Sequence, residues 1–160
     1  MGADAASAAG PAATLPEELV GVAYVLTVGT VEPRKNHVTL LDAFDHLLVD
    51  HPDAHLAVVG RPGWHNDDVL ERLDAHPELG RRLHWYRAAG DDLLAVLYEH
   101  ARVVAVASIT EGYGLPVIEA MSHGVPVVSS DGGALIEAGG SLVEHVAARD
   151  VAAWAEALGR

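Results

Sequence analysis

Two glutamates, Glu111 and Glu119, stand on either side of a turn with the sequence GYGLP. Gly112 and Gly114 carry no Cβ, so we expect them to let the backbone turn sharply and come close to a ligand. Pro116 favours the first turn of a helix, and the free N–H groups of a helix start attract anions, above all phosphate. Carboxylates accept hydrogen bonds from neighbouring hydroxyl groups. The pattern predicts a ligand with a diphosphate in its middle and hydroxyl groups at both ends, although two ordinary surface carboxylates remain the simpler alternative.

A second segment, EPRKN, places two adjacent cations in an otherwise acidic chain. Lys35 offers a compact charge for one phosphate oxygen, and Arg34 offers a fork of donors. The alternative is a solvated loop in which Asn36 caps the following helix. The phosphate interpretation gains because this loop and the glycine turn both follow a predicted strand.

Apolar strands alternate with helical patterns along the chain, and these elements must position the polar segments. This alternation predicts an α/β fold, a Rossmann-like doubly wound parallel sheet of about six strands with helices on both faces. Ligands bind such sheets beyond the carboxyl ends of the strands, where both polar segments fall. The predicted strands are residues 23–29, 55–60, 83–86, 103–107 and 125–129, with a short sixth at 142–143. One predicted helix follows Asn36 and another begins at residue 91. The other predicted helices are residues 67–75, 115–123 and 151–158.

Bulk composition narrows the possible partners. With 160 residues, half of them hydrophobic, we expect a flexible lead or linker over residues 1–20 and one folded domain over residues 21–160. The net charge of −13 argues against nucleic acid as a partner. No apolar run is long enough to span a bilayer. The absence of cysteine removes disulfides and thiol catalysis, and the ten scattered histidines show no metal-ligand spacing, so no metal site is predicted.

Two common nucleotide fingerprints are absent from the sequence. No GxGxxG follows the first predicted strand, which counts against a nicotinamide-dependent oxidoreductase. No GxxxxGK[ST] occurs, which counts against a P-loop ATPase.

Three motifs together resemble a known family: VGTVEPRKN (Val28–Asn36), AVVGRPGW (Ala57–Trp64) and EGYGLPVIEAMSHGVPVVSSDGGALIE (Glu111–Glu137). Over about residues 22–158 the chain resembles the C-terminal, donor-binding half of group 1 (family 4) retaining glycosyltransferases of the two-domain GT-B fold. The resemblance implies a nucleoside-diphosphate-sugar donor, one half of a GT-B fold, and transfer of a hexose with retention of configuration. It implies no metal and no other cofactor.

The resemblance also assigns roles to residues. Lys35 would contact the diphosphate with help from Arg34, Glu111 would lie by the donor sugar, and Glu119 would hold the ribose hydroxyls. The implied catalytic residues are Glu111, Lys35 and Arg34. The implied donor-binding residues are Gly29, Thr30, Arg34, Lys35, Gly60, Arg87, Gly112, Tyr113, Gly114, Leu115 and Glu119.

Two positions depart from the family pattern. Thr30 stands where many relatives carry an arginine, and Tyr86 stands where the third strand usually ends in a glycine beside the base. The N-terminal acceptor-binding domain of such enzymes is not matched, so we expect it as a partner in cis or in trans and expect little transfer by this chain alone. We expect a cytoplasmic location, with peripheral contact to the inner face of the membrane in the full-length protein.

Three questions stay open from sequence. The EPRKN loop is typical of many mannosyltransferases that use GDP-mannose, which favours that donor without identifying it. A non-catalytic nucleotide-sugar-binding module would keep the same motifs. Another doubly wound enzyme, such as an oxidoreductase or a sugar-nucleotide epimerase, shares the fold class.

Overall fold

Six parallel strands form the centre of the computed structural model, which describes residues 13–64 and 67–160. The strand order is β3-β2-β1-β4-β5-β6, and every neighbouring pair is parallel. The chain therefore builds outward from β1 to β3 and then restarts beside β1 with β4, which is the doubly wound topology predicted from sequence. The strands are β1 (Tyr24–Val28), β2 (His55–Val59), β3 (Leu83–Tyr86), β4 (Val103–Val106), β5 (Val127–Ser130) and β6 (Glu144–Val146).

Helices cover both faces of this sheet. Buried side chains from α1, α2 and α6 belong to one apolar cluster, and those from α3, α4 and α5 belong to another. The predicted fold class is thus confirmed. The helices are α1 (His37–Asp50), α2 (Asp67–Asp74), α3 (Asp91–His100), α4 (Leu115–Ser122), α5 (Gly133–Gly139) and α6 (Val151–Gly159), and short 3-10 turns occur at Glu17–Leu19, Pro33–Lys35 and Gly140–Leu142.

The central strand β1 shows why the strand sequences are unbroken runs of apolar residues. Val25 faces the first cluster, whereas Tyr24 and Leu26 face the second. Successive side chains of a strand point to opposite faces, so a strand covered on both sides must be apolar at every position. This burial fixes the sheet and leaves the loops at its carboxyl edge to carry polar residues.

Two elements near the end of the chain differ from the sequence prediction. Residues 140–142 form a 3-10 turn, and the sixth strand begins two residues later than predicted, at Glu144. Helix α5 was not predicted, because its sequence GALIEAG starts and ends in glycine, a poor helix former. Leu135 is completely buried in the second cluster, so tertiary packing stabilises this helix.

The predicted flexible lead over residues 1–20 is wrong in its last part. Residues 17–19 form a 3-10 turn, and Leu19 is completely buried in the second cluster. The folded domain therefore begins before residue 21. Residues 1–12 lie outside the described residues.

No helix within residues 13–64 and 67–160 combines the length and the apolar character that crossing a membrane requires.

Candidate functional site

The basic loop and the glycine turn meet through a buried ion pair. Lys35 Nζ lies 2.5 Å from Glu111 Oε2, and the two side chains are only 13% and 8% exposed. Ser108 Oγ donates a 2.7 Å hydrogen bond to the same carboxylate oxygen. Burial alone would raise the pKa of the Glu111 carboxyl, but the hydrogen bonds from Lys35 and Ser108 and the charges of Lys35 and Arg34 together hold it below its ordinary value. Glu111 is thus an anion with a fixed cationic partner.

One backbone hydrogen bond and two bonds from the Asn36 side chain hold the basic loop at the end of β4. The N–H of Ile109 donates to the carbonyl of Arg34 at 2.8 Å. Asn36 Nδ2 donates to the carbonyls of Ala107 (3.0 Å) and Ala148 (2.7 Å). Asn36 was predicted to cap α1, but its side chain makes no capping hydrogen bond to the helix N–H groups. The amide joins three chain segments instead.

Arg34 lies beside this pair with a side chain that is 53% exposed. Its Nε donates to Glu32 Oε1 at 2.5 Å, so the loop provides its own counter-ion. Because that contact is exposed, it costs little to exchange for a phosphate oxygen.

The glycine turn needs glycine at one position and for a reason that the sequence did not indicate. Gly114 has a φ of +68°, and a Cβ added there would lie 2.6 Å from Ala138 Cβ and 2.7 Å from the Ala134 carbonyl oxygen. Gly112 does not adopt a positive φ, and an added Cβ would meet nothing within 4 Å. The local structure therefore requires glycine at residue 114 but not at residue 112, and the close approach of Gly112 to a ligand stays a prediction. Gly114 serves close packing against α5.

The start of α4 is open to solvent. The N–H groups of Val117 and Ile118 both donate to the Gly114 carbonyl, and Pro116 has no N–H. The N–H groups of Tyr113, Gly114 and Leu115 make no backbone hydrogen bond to any described residue. Tyr113 and Leu115 are 81% and 62% exposed. Free donors therefore stand at this helix start, next to the turn that carries Glu111.

Glu119 lies on the exposed face of α4. Burial raises the pKa of the Tyr98 hydroxyl, and the charge of Glu119 raises it further. The structure gives no contact between Glu119 and Lys35.

Four predicted residues line one cavity of about 580 Å³ at the carboxyl ends of β1, β2 and β3: Gly29, Thr30, Gly60 and Arg87. The remaining lining residues are Arg61 and a mainly apolar set, Val28, Val59, Ala88, Ala89, Gly90 and Leu94. Lys35 connects this cavity with the ion pair, because its Cε passes 3.5 Å from where a Cβ on Gly29 would stand. A larger cavity of about 840 Å³ opens at the opposite edge of the sheet, beside Ala23 and His55.

Gly60 is required where β1 and β2 approach this cavity. Its φ is +156°, and an added Cβ would lie 1.9 Å from the Gly29 carbonyl oxygen. The Gly60 carbonyl also accepts a 2.8 Å hydrogen bond from Trp85 Nε1. A side chain at residue 60 would therefore force the Gly29 backbone to move.

Tyr86, the last residue of β3, and Arg87, which follows it, take part in other contacts. The Arg87 guanidinium lies 4.0 Å above the Trp85 ring and pairs with Asp74 at 3.0 Å, so its charge is directed towards α2. Tyr86 donates a hydrogen bond from its hydroxyl to Glu18 at 2.7 Å. Ala88 and Ala89, which follow Arg87, line the cavity with small side chains, and Tyr86 is not among its lining residues.

Sequence reasoning missed Ser108 as part of the site. The only signal was its position three residues before Glu111, at the end of an otherwise apolar strand. Serine is common at strand ends, so the type alone did not distinguish it. In the part of the chain that the structure describes, no three His, Asp or Glu side chains form a group that could hold a metal ion.

Curated proteins with known activities are similar to this chain. The serotype-specific mannosyltransferase WbdA of Escherichia coli is 42% identical over 106 residues, 66% of this chain. The O-antigen chain mannosyltransferase B of Escherichia coli is 43% identical over 118 residues, 71% of this chain. The matched segments span only 13% and 30% of those relatives' lengths.

Solved structures share the fold. The UDP-forming alpha,alpha-trehalose-phosphate synthase from Burkholderia xenovorans matches 90% of this chain and 37% of its own chain, with a TM-score of 0.75. At 19% sequence identity the likeness concerns the fold alone. The six-stranded sheet is one half of the GT-B architecture.

A sequence model of one family, described as glycosyl transferases group 1, matches residues 17–160. The match begins at the 3-10 turn that holds the buried Leu19, and it covers the basic loop, the cavity and the glycine turn. We conclude that the chain belongs to the group 1 glycosyltransferases.

Proposed function

We propose that this chain is the donor-binding domain of a retaining glycosyltransferase and that it holds a nucleoside-diphosphate sugar at the carboxyl edge of its sheet. The observation that supports this most is the Lys35–Glu111 ion pair at 2.5 Å, placed beside the open start of α4. A cation, free N–H donors and a carboxylate stand together there, and a sugar diphosphate needs all three.

Donor binding involves an exchange of partners at Lys35. A diphosphate oxygen takes the Lys35 ammonium, with the N–H groups of Tyr113, Gly114 and Leu115 as further donors. Glu111, still held by Ser108, is then free to accept a hydroxyl group of the donor sugar. When the sugar leaves, the same donors stabilise the charge that develops on the nucleoside diphosphate. In this proposal the reaction needs no metal and retains the anomeric configuration.

The nucleoside occupies the apolar cavity at the ends of β1, β2 and β3. Its base lies between the Gly29–Thr30 and Ala88–Ala89 backbones. Glu119, which lies on α4, accepts hydrogen bonds from the ribose hydroxyls. A hexose is the transferred group, and GDP-mannose is the favoured donor because relatives that are 42% and 43% identical are named mannosyltransferases.

The acceptor is bound by a second domain, supplied in cis or in trans. The relatives are much longer than the matched segment, which supports this division of labour. The isolated 160-residue chain is therefore expected to bind donor without transferring sugar.

Calorimetric titration with GDP, UDP, ADP and their sugar conjugates tests the proposal. One nucleoside diphosphate should bind clearly. Lys35→Ala and Glu119→Ala should each weaken it by roughly 10- to 100-fold, because each removes a charged hydrogen-bond partner. Arg81→Ala is the matched control: it removes an exposed cation at the opposite edge of the sheet and should leave the affinity unchanged.

Unchanged affinity in both site variants would show that the site is wrongly assigned. A titration with NADH addresses the alternative of a doubly wound oxidoreductase, since clear NADH binding would favour that class over the transferase.

A further inference from the structure

The side chain of Asn36 uses almost all of its hydrogen-bonding capacity between three chain segments. It is 6% exposed. Its two Nδ2 hydrogens are donated to the Ala107 and Ala148 carbonyls, and its Oδ1 accepts from Thr39 Oγ1 at 2.8 Å. These partners lie at the end of β4, in the loop before α6 and in the first turn of α1.

The backbone at Asn36 is unusual as well. Its φ is +63°, and among the described residues it is the one non-glycine position with a positive φ. Asparagine tolerates this left-handed conformation better than most side chains, but glycine adopts it at lower cost. The side-chain contacts are therefore the physical reason for having asparagine at this position.

These contacts lie next to the proposed diphosphate site. Lys35 directly precedes Asn36, and Ala107 directly precedes Ser108, which donates to Glu111. No residue of the Pro33–Lys35 turn is fully buried, so the turn has no apolar anchor of its own. The Ile109–Arg34 backbone bond and the Asn36 amide connect this turn to the β4 end.

We propose that Asn36 is a positioning residue that fixes Lys35 at the end of β4, so that the ammonium group is in place before a diphosphate binds. Lysine has a flexible stem, and an ordered backbone beneath it lowers the entropy lost on binding. This inference rests on the proposed function, because it assumes that Lys35 meets the diphosphate.

Asn36→Gly is the decisive variant, because glycine keeps the left-handed backbone and removes only the three side-chain contacts. It should weaken the preferred nucleoside diphosphate by about fivefold to tenfold and change the affinity of the matching nucleoside monophosphate by less than about twofold. Thr39→Val removes one of the three contacts and should give a smaller change in the ratio of the diphosphate affinity to the monophosphate affinity.

Leu158→Ala is the control for general destabilisation. Leu158 is 5% exposed and lines the cavity at the opposite edge of the sheet. This variant should lower the melting temperature while leaving the ratio of the two affinities at the wild-type value. A simple loss of fold would weaken both nucleotides together, which distinguishes it from loss of positioning.

A second readout needs no nucleotide. Titration of the Glu111 carboxyl by ¹³C NMR in the ligand-free chain should show a higher pKa in Asn36→Gly than in the wild type, because Lys35 is less often beside it. Leu158→Ala should leave that pKa unchanged.

The inference is overturned if folded Asn36→Gly keeps both the wild-type affinity ratio and the wild-type Glu111 pKa. If the wild-type chain binds no nucleoside diphosphate, the proposed function fails, and the carboxyl titration still decides whether Asn36 positions Lys35.

Discussion

At the scale of single residues, the Lys35–Glu111 pair carries two charges in a nearly dry place. Burying a lysine and a carboxylate costs several kcal/mol of desolvation, and their attraction returns this only when geometry and further hydrogen bonds are good. Ser108 supplies such a bond to Glu111. A pair of this kind contributes little net stability, so its presence supports a role in binding.

His37, the first residue of α1, is buried without such partners, because neither ring nitrogen has a hydrogen-bond partner in the described structure. Burial, assisted by the charge of Lys35 and opposed by that of Glu32, lowers the pKa of His37 to about 4 from its ordinary 6.5. Below pH 6.5 the His37 ring is protonated in the unfolded chain, whereas in the folded chain it stays neutral down to about pH 4. Acid therefore favours unfolding, and the stability that the neutral ring contributes is present above pH 6.5 and lost as the pH falls towards 4.

We predict that His37→Leu removes this part of the pH dependence. Between pH 7 and pH 4 the wild type should lose roughly 2–3 kcal/mol more stability than the variant, from the size of the pKa change. Urea unfolding at pH 7, 5 and 4 measures the difference, and His46→Gln, at an exposed position of the same helix, serves as the control. Equal pH slopes in His37→Leu and the wild type would contradict this account.

At the scale of elements, the turn before α4 is shaped by α5. The Gly114 backbone lies so close to Ala134 and Ala138 that no other side chain fits between them. The helix start that faces the proposed diphosphate is thus fixed from behind by α5. The sequence did not predict this packing, since α5 has weak helix propensity and Ala134 lies far from Gly114 along the chain.

Gly114→Ala should destabilise the chain by roughly 2–4 kcal/mol, because it combines a disfavoured positive φ with overpacking against α5. Gly112→Ala, two residues away in open space, should change stability by less than about 1 kcal/mol. Chemical denaturation of both variants gives the comparison. Similar losses in the two would mean that the turn does not pack on α5 as described.

At the scale of the whole molecule, the strand order brings segments that are far apart in sequence to one edge. Residues 35 and 111 meet because β1 and β4 are neighbours at the centre of the sheet. Arg34 and Lys35 lie together at this edge, paired with Glu32 and Glu111, so a chain with a net charge of −13 still has two cations there that an anion can meet.

Binding of a nucleoside diphosphate at this edge can be tested on the intact chain, because a ligand that binds only the folded state stabilises it. At 100 times its Kd, the preferred nucleoside diphosphate should add about 2.7 kcal/mol to the folded state, which for a chain of this size raises Tm by roughly 5–10 °C. Thermal unfolding followed by circular dichroism measures the shift. Arg81→Ala should keep it and Lys35→Ala should reduce it; an equal shift in both variants would argue against binding at the Lys35 edge.

The sequence alone determined the alternation of strands and helices, the fold class and the segments that carry the candidate site, because apolar periodicity and the turns formed by glycine and proline are local properties. It also identified Lys35 and Glu111 as residues at one edge of the sheet, since parallel strands present their carboxyl ends together. It did not give the role of Asn36, the hydrogen bond from Ser108, the packing that requires Gly114 or the burial of Leu19. Each of these depends on a contact between segments distant along the chain, and only the tertiary structure decides which atoms meet there.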